Sequence, residues 1–279
     1  IPTTSSSAGV SPDLYYYGYR YYSPRLGRWI NRDPIGERGN WHLYAFVHNN
    51  PRSRIDLLGL KDYKVGNSDP IITADPGAGN WNSKDWTWGN LILRGEILRS
   101  VGFIWMGMPD AVNHILHYFG NSGRDYTIRL QKMINDVPSA RKVFYRELAL
   151  AQAFVESLPN GNHGITSGSA SVGYNKKGES WNWFYAVGGY RSWGKGNATV
   201  CDEEYILEFQ YNFFDCYNWD GGKQVEILGV VVTDQFMGEF HRQGLAREFD
   251  MLGAVKKTVK WKKGEAPVVT EGWEKEQDR

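Results

Sequence analysis

Cysteine is nearly absent: Cys201 and Cys216 are the only two in 279 residues. That excludes a disulfide framework and a four-cysteine zinc site, and leaves half-buried thiols, or at most a single bridge, as the expectation. An excess of charge is missing as well. Lysine and arginine number 32 against 31 aspartate and glutamate, a net of +1, so there is no electrostatic footprint of a nucleic-acid or acidic-membrane partner. Nor is there a long hydrophobic run, since Val101 to Pro109 is too short to span a bilayer and follows Arg94, Glu96 and Arg99. Residues 1–7 lack the basic start and apolar stretch of a secretory leader, so a soluble piece cut from something longer is expected. No internal repeat of about 20–50 residues is visible.

What is plentiful is aromatic side chains and glycine. With 41% hydrophobic and 15% aromatic residues, 12 Trp, 17 Tyr and 32 Gly, the chain can bury a core and is suited to β-structure with many tight turns. Residues 1–13 are rich in Ser, Pro and Thr. From Leu14 to Leu60 short strands alternate with turn pairs such as Tyr17-Gly18, Ser23-Pro24, Asp33-Pro34 and Asn50-Pro51. Residues 61–90 carry Asp69-Pro70 and Asp75-Pro76-Gly77 and read as a loosely structured entry whose Trp81, Trp86 and Trp88 dock on a neighbouring surface.

Gly89 to Phe119 reads as helical, broken near Gly107 and Pro109, with Asp110 as a cap. Asp125 to Leu158 carries a second helical pattern, in which Pro138 ends one helix and Ser139 caps the next. Beyond Gly161 the texture turns to strands: Trp181–Val200, Glu204–Trp219 and Val225–Thr233. Asp234–Asp250 then reads as a helix capped by Thr233, and Val255–Lys262 as a closing strand. The expected class is α+β. A short β-rich portion (1–60) and an entry stretch (61–90) lead into a domain over 91–279, helical over 91–160 and antiparallel β-rich over 161–279.

Within the first portion the order of motifs is dense. Leu14-Tyr15-Tyr16-Tyr17-Gly18-Tyr19-Arg20-Tyr21-Tyr22-Ser23-Pro24 is followed by Leu26-Gly27-Arg28-Trp29-Ile30 and Arg32-Asp33-Pro34-Ile35-Gly36. Then come Leu43-Tyr44-Ala45-Phe46-Val47 and Asn49-Asn50-Pro51. This series resembles the core of rearrangement-hotspot (Rhs) proteins. The resemblance implies a hollow β-shell enclosing a variable, usually toxic polypeptide that follows the core. It also implies a cognate immunity protein, a remaining shell, a secretion-system spike or adaptor, and delivery of the secreted toxin into a target cell. Self-cleavage after an Asp-Pro-x-Gly-Leu motif is implied too. The matching stretch is Asp56-Leu57-Leu58-Gly59-Leu60, with Leu in place of Pro. The scissile bond would be Leu60–Lys61, with Asp33 and Asp56 as the acid/base pair and Arg32 beside them. Two carboxylates that share a proton can activate water and protonate the leaving amine in turn.

In the remainder, chemistry is densest between residues 205 and 250. Residues 1–60 carry seven Lys+Arg and four Asp+Glu, so residues 61–279 carry 25 against 27 and are mildly acidic; nucleic acid is not the expected partner. Alternation over Tyr205–Tyr217 puts Tyr205, Leu207, Phe209, Tyr211 and Phe213 on one face with Asp215 and Tyr217 at its end. A carboxylate at the rim of an apolar core needs a cation, metal or hydrogen-bond donor. Asp220 follows in the turn, and His241-Arg242 lies on the next helix. His as general acid/base, Arg on phosphoryl oxygens, and Asp215 and Asp220 on water or a divalent ion would suit phosphoester hydrolysis.

The stretch Asp215-Cys216-Tyr217-Asn218, with Asp220 and His241-Arg242, is similar to the Asp-x-Tyr-Asp and His-Arg motif of colicin M-type bacteriocins. That likeness implies magnesium and the pyrophosphate of lipid II as target. It departs from the pattern at Asn218 and in the spacing to His241. Other readings stay open. His114 and His117 could ligate a metal or flank a membrane-active segment near Val101–Trp105, and a pore-forming, nuclease or nucleotide-transferring toxin remains an alternative. The lysines at 256, 257, 260, 262 and 263 read as a solvated strand face.

Overall fold

The computed structural model describes residues 14–17, 20–32, 44–47, 54–55, 62–73, 76–104, 107–173, 178–219, 222, 224–227, 230–265 and 268–271. The tyrosine-rich start forms a small antiparallel sheet of β1 (Tyr15–Tyr16), β2 (Tyr21–Ser23) and β3 (Arg28–Trp29). Its aromatic side chains close on one another. Trp29 is fully buried, with its ring centroid 5.3 Å from that of Tyr17 and 5.2 Å from that of Phe46. The buried Arg20 guanidinium lies 4.3 Å above the Trp29 ring, a cation–π contact.

A second, larger core begins at Tyr63. Its sheet runs in the order β14-β13-β10-β9-β7-β5-β4. In chain order these strands are β4 (Arg54–Ile55), β5 (Tyr63–Val65), β6 (Tyr126–Thr127), β7 (Gly161–Ser167), β8 (Ala170–Gly173), β9 (Gly189–Cys201) and β10 (Glu204–Tyr217). A separate hairpin of β11 (Gln224–Ile227) and β12 (Val230–Thr233) precedes β13 (Phe249–Lys262) and β14 (Val268–Glu271). β6 joins β13 in parallel, and β8 joins β9.

The alternation expected for β10 holds. Tyr205, Leu207, Phe209, Tyr211 and Phe213 are buried, while Ile206 and Glu208 face outward. The inner face is covered by α3 (Leu130–Asp136) and α4 (Pro138–Val155), with α1 (Trp88–Ile104), α2 (Pro109–Phe119) and α5 (Trp181–Ala186) completing the helical side. On α4, Ala140, Phe144, Leu148, Ala151 and Val155 are buried at helical spacing. Helices and sheet together make the α+β class that the sequence pattern suggests.

Several element bounds differ from expectation, each for a local reason. Residues 181–186 form a helix rather than the start of a strand; the Ser180 side chain caps it by accepting from the Trp183 N–H. Pro138 opens α4 instead of ending α3, at a first-turn position where its missing N–H costs nothing. Asp110 lies inside the first turn of α2 rather than capping it, held by Arg129 at 2.9 Å and by Asn182 at 2.6 Å. The stretch expected as one strand over 225–233 is the hairpin β11–β12.

The last helix, α6 (Asp234–Arg242), does start from its Thr233 cap as expected, but ends well before residue 250. Gly244, at φ +67, turns the chain out of it, and β13 begins at Phe249. Lys256, Lys260, Lys262 and Lys263 are exposed as expected, but Lys257 points inward opposite Phe209 and is buried. Burial pushes its ammonium pKa down. The thiols of Cys201 and Cys216 are free, the first exposed and the second half-buried.

The entry stretch contributes to the core. Tyr63 is buried at 1% exposure, stacks on Phe154 at 5.6 Å, and its hydroxyl donates to Glu147 Oε1 at 2.6 Å. Ser167 Oγ at 2.7 Å and the Gly194 N–H at 3.1 Å donate to that same oxygen. A Cβ at Gly194 would lie 3.0 Å from Glu147 Oε1 and closer still to the Tyr63 hydroxyl, so only glycine lets β9 approach. Tyr63→Ala should therefore cost about 3–5 kcal/mol, the range for truncating a large buried aromatic. Urea denaturation measures it; a loss under about 0.5 kcal/mol, typical of surface positions, would show the segment to be peripheral.

Candidate active site

β10 ends in Asp215-Cys216-Tyr217 with Asn218 beyond it, and two clefts flank that end. One, of about 390 Å³, is lined by Thr73, Ser171, Tyr190, Arg191, Asp215 and Cys216 among others. The other, of about 360 Å³, is lined by Trp81, Asp125, Asn218, His241, Arg247 and Asp250, and again by Cys216. Cys216 thus stands in the wall between them. The structure places Asp215 in the first cleft and His241 in the second. Tyr217 is packed among rings, stacked on Phe249 at 4.9 Å and edge-on to Trp219 at 5.7 Å. Burial pushes its hydroxyl pKa upward, which keeps it a neutral phenol. Asp220, Asp33, Asp56 and Leu60 lie outside the described residues; Arg32 is exposed at the end of the small sheet.

His241 is buried, and both of its ring nitrogens are engaged by backbone. Nδ1 accepts the Glu248 N–H at 3.1 Å, so it carries no proton in this arrangement. Nε2 must then be the protonated nitrogen, and it donates to the Gly79 carbonyl at 3.0 Å. Arg242 is equally occupied: Nε donates to Glu239 at 2.9 Å, Nη1 to the Ala78 carbonyl at 3.1 Å and Nη2 to the Gln235 carbonyl at 3.2 Å. The Glu248 carboxylate accepts the N–H groups of Ala78 at 3.0 Å and Trp219 at 2.7 Å. Together these side chains clamp residues 77–84 onto α6, aided by the Lys84–Glu239 ion pair at 3.0 Å. The His-Arg pair thus builds the wall of the second cleft.

The groups that sequence reasoning missed sit around that wall. Asp250, opposite Cys216 on β13, accepts the thiol at 3.3 Å. Asp125 is exposed at the mouth. The Arg247 guanidinium lies 4.7 Å over the Trp81 ring. Strand alternation from Cys216 to its cross-strand partner would have found Asp250 had β13 been extended to Phe249. Trp81 and Asp125 come from loops whose spatial place no local pattern reveals.

No group of three or more His, Cys, Asp or Glu that could hold a metal occurs among the described residues. His114 and His117 turn to different partners, the Ala186 carbonyl at 2.9 Å and the Arg124 carbonyl at 2.8 Å. Among the described residues no helix is long and apolar enough to cross a membrane.

No protein-family model matches the chain. Toxin subunit YenC2 of Yersinia entomophaga is 49% identical over 47 residues, which is 17% of this chain and 5% of YenC2. RhsB of Dickeya dadantii, named as a deoxyribonuclease, is 42% identical over 53 residues, 19% of this chain and 4% of RhsB. Partial relatives of this chain are Rhs and other toxin proteins. Because the chain spans about a twentieth of these relatives, their activities do not come with the match. Among solved structures, PaeM, a colicin M-like bacteriocin of Pseudomonas aeruginosa, shares 13% identity at a TM-score of 0.30, covering 56% of this chain and 52% of PaeM. That score is too low for an argument to rest on it.

Burial holds the His114 imidazole below its ordinary value of 6.5. The unfolded chain then binds that proton more readily than the folded one, so stability is lost as pH falls below 6.5. His114→Gln, which does not titrate, should flatten the fall in Tm between about pH 7.5 and about pH 5.5; an unchanged slope would remove His114 from the account. His241→Ala should destabilise the fold by about 1–3 kcal/mol, because it leaves the Glu248 N–H and Gly79 carbonyl without partners. Chemical denaturation reads this directly.

Proposed function

We propose that this chain is the C-terminal part of an Rhs polymorphic toxin, and that the part beyond Leu60 is its effector, a hydrolase of phosphoesters. The toxin class is supported by the partial relatives and by the ordered tyrosine-rich motifs. The hydrolytic reading is carried by one observation: Asp215 lines one cleft, Asp125 and Asp250 line the next, and the two clefts share Cys216. Carboxylates so placed can take a proton from attacking water and return one to a leaving oxygen. Tyr217 positions the strand end through its stack on Phe249. His241 and Arg242 hold the wall.

Magnesium, implied by the colicin M-type motif, commonly takes one or two carboxylates and completes its shell with substrate phosphates and water. Asp215 fits that demand, with Asp220 as the candidate second ligand. Such an ion would neutralise phosphoryl charge when bound.

In the same proposal the toxin is secreted and delivered into a competing cell, with a cognate immunity protein, the remaining shell and a secretion-system spike or adaptor as partners. Asp33 and Asp56, with Arg32 beside them, would release it by cutting after Leu60. That pair needs the rest of the shell to bring it together, so the isolated chain should keep its intact mass over days. Rapid appearance of a species beginning at Lys61 would contradict this.

For the effector, the full chain is expressed in a test bacterium with and without an export signal. Asp215→Asn and Asp250→Asn should each lower killing by about a hundredfold or more, the scale of a lost acid/base group, with unchanged circular dichroism. Lysis confined to the exported form points to an envelope phosphoester. Full killing by both variants would move the site elsewhere.

A further inference from the structure

Arg247 is out of keeping with its surroundings. It lines the same cleft as Asp125, Glu248 and Asp250, yet among the described residues no carboxylate oxygen comes within ion-pair distance of its guanidinium. The neighbouring carboxylates are directed elsewhere: Glu248 to the backbone of Ala78 and Trp219, Asp250 to the Cys216 thiol. A half-buried guanidinium with five donors and no acceptor among the described residues, beside acidic groups, is suited to a ligand that brings its own negative charge.

The side chain is also held in place before any ligand arrives. The Arg247 backbone is anchored, its main-chain N–H donating to the Tyr118 carbonyl at 2.9 Å. Its guanidinium stacks 4.7 Å over Trp81, and the Trp81 indole N–H is tied to Asn121 Oδ1 at 3.0 Å. Asn121 in turn donates to the Gly244 carbonyl at 2.8 Å. Gly123 stands at φ +62, and any Cβ there would collide with Arg247 Nε and Cδ. The loop therefore leaves the room that the arginine fills. A guanidinium held over a ring face, with no acceptor among the described residues, is suited to donating its paired N–H groups to two oxygens on one phosphorus.

We infer that Arg247, braced by Trp81, is the phosphoryl-binding residue of this cleft, and that the ligand is a phosphate or diphosphate ester. This rests on the hydrolytic reading for the choice of phosphate over other anions. The volume of about 360 Å³ admits a diphosphate headgroup with little of what it is attached to.

The test uses the full chain and inorganic pyrophosphate, measured by isothermal titration calorimetry. Arg247→Gln should weaken binding by at least about tenfold, the loss expected from a charge-assisted pair. Arg247→Lys should restore it only in part, because an ammonium lacks the planar fork. Trp81→Phe should weaken it to a smaller extent. The unliganded Arg247→Gln chain should melt close to the parent, since it loses the contact with the Trp81 ring but no ion pair or side-chain hydrogen bond among the described residues. Equal affinity in Arg247→Gln, or no binding by the parent chain, would overturn the inference.

Farnesyl diphosphate and uridine diphosphate form two further arms. Binding of either as tightly as pyrophosphate supports the site and names a lipid or nucleotide source. Failure of both would mark pyrophosphate as an adventitious ion only and overturn it. Killing separates the two readings. If the Asp215 and Asp250 variants kill normally while pyrophosphate binding still depends on Arg247, hydrolysis falls and the anion site stands.

Discussion

A single buried oxygen organises the larger core. Glu147 Oε1 receives donors from β5, β7 and β9 while its own residue sits on α4. A carboxylate removed from water is costly unless it is hydrogen-bonded, and breaking such an arrangement leaves the charge without solvent or partner. The network therefore specifies how the helix sits on the sheet, because a shift of one turn would strand the oxygen. It also raises the pKa of the Tyr63 hydroxyl, chiefly through burial and then through the nearby negative charge. The tyrosine thus stays a donor, as the arrangement demands.

From that fixed sheet the two clefts follow. β9, β10 and β13 run side by side over most of their length, so Cys216 and Asp250 meet as cross-strand neighbours at the far end. The α6 clamp then brings residues 77–81 across the same end. The cleft is assembled from rigid strands on one side and a latched loop on the other. Its backbone partners, Gly79, Ala78 and Trp219, are bound by side chains rather than by sheet hydrogen bonds, so this wall depends on side-chain identity.

Period-two patterning made β10 legible down to its faces, because Tyr205, Leu207, Phe209, Tyr211 and Phe213 alternate without a break. The α4 stripe was legible for the corresponding helical reason. Residues 181–186 misled because Trp, Phe and Tyr favour strands, and the capping Ser180 was the signal against it. The helix over 234–250 is shorter than its pattern suggests: Leu245 and Glu248 continue the spacing of Met237 and His241, but Gly244, at φ +67, ends it. That helical spacing masks the first residues of β13, Asp250 among them. Asp215 and His241 were both recognised as unusual, but their assignment to separate clefts depends on long-range contacts that no local spacing encodes.

β5 has neighbours on both sides, β4 through Arg54–Lys64 and Ile55–Tyr63 and β7 through three further pairs. β4 lies before Leu60 and β5 after it. Severing the chain there would leave these two strands on different polypeptides, still paired through Arg54–Lys64 and Ile55–Tyr63. Without β4, Tyr63–Val65 would become an open sheet margin, a strand edge able to accept a new chain.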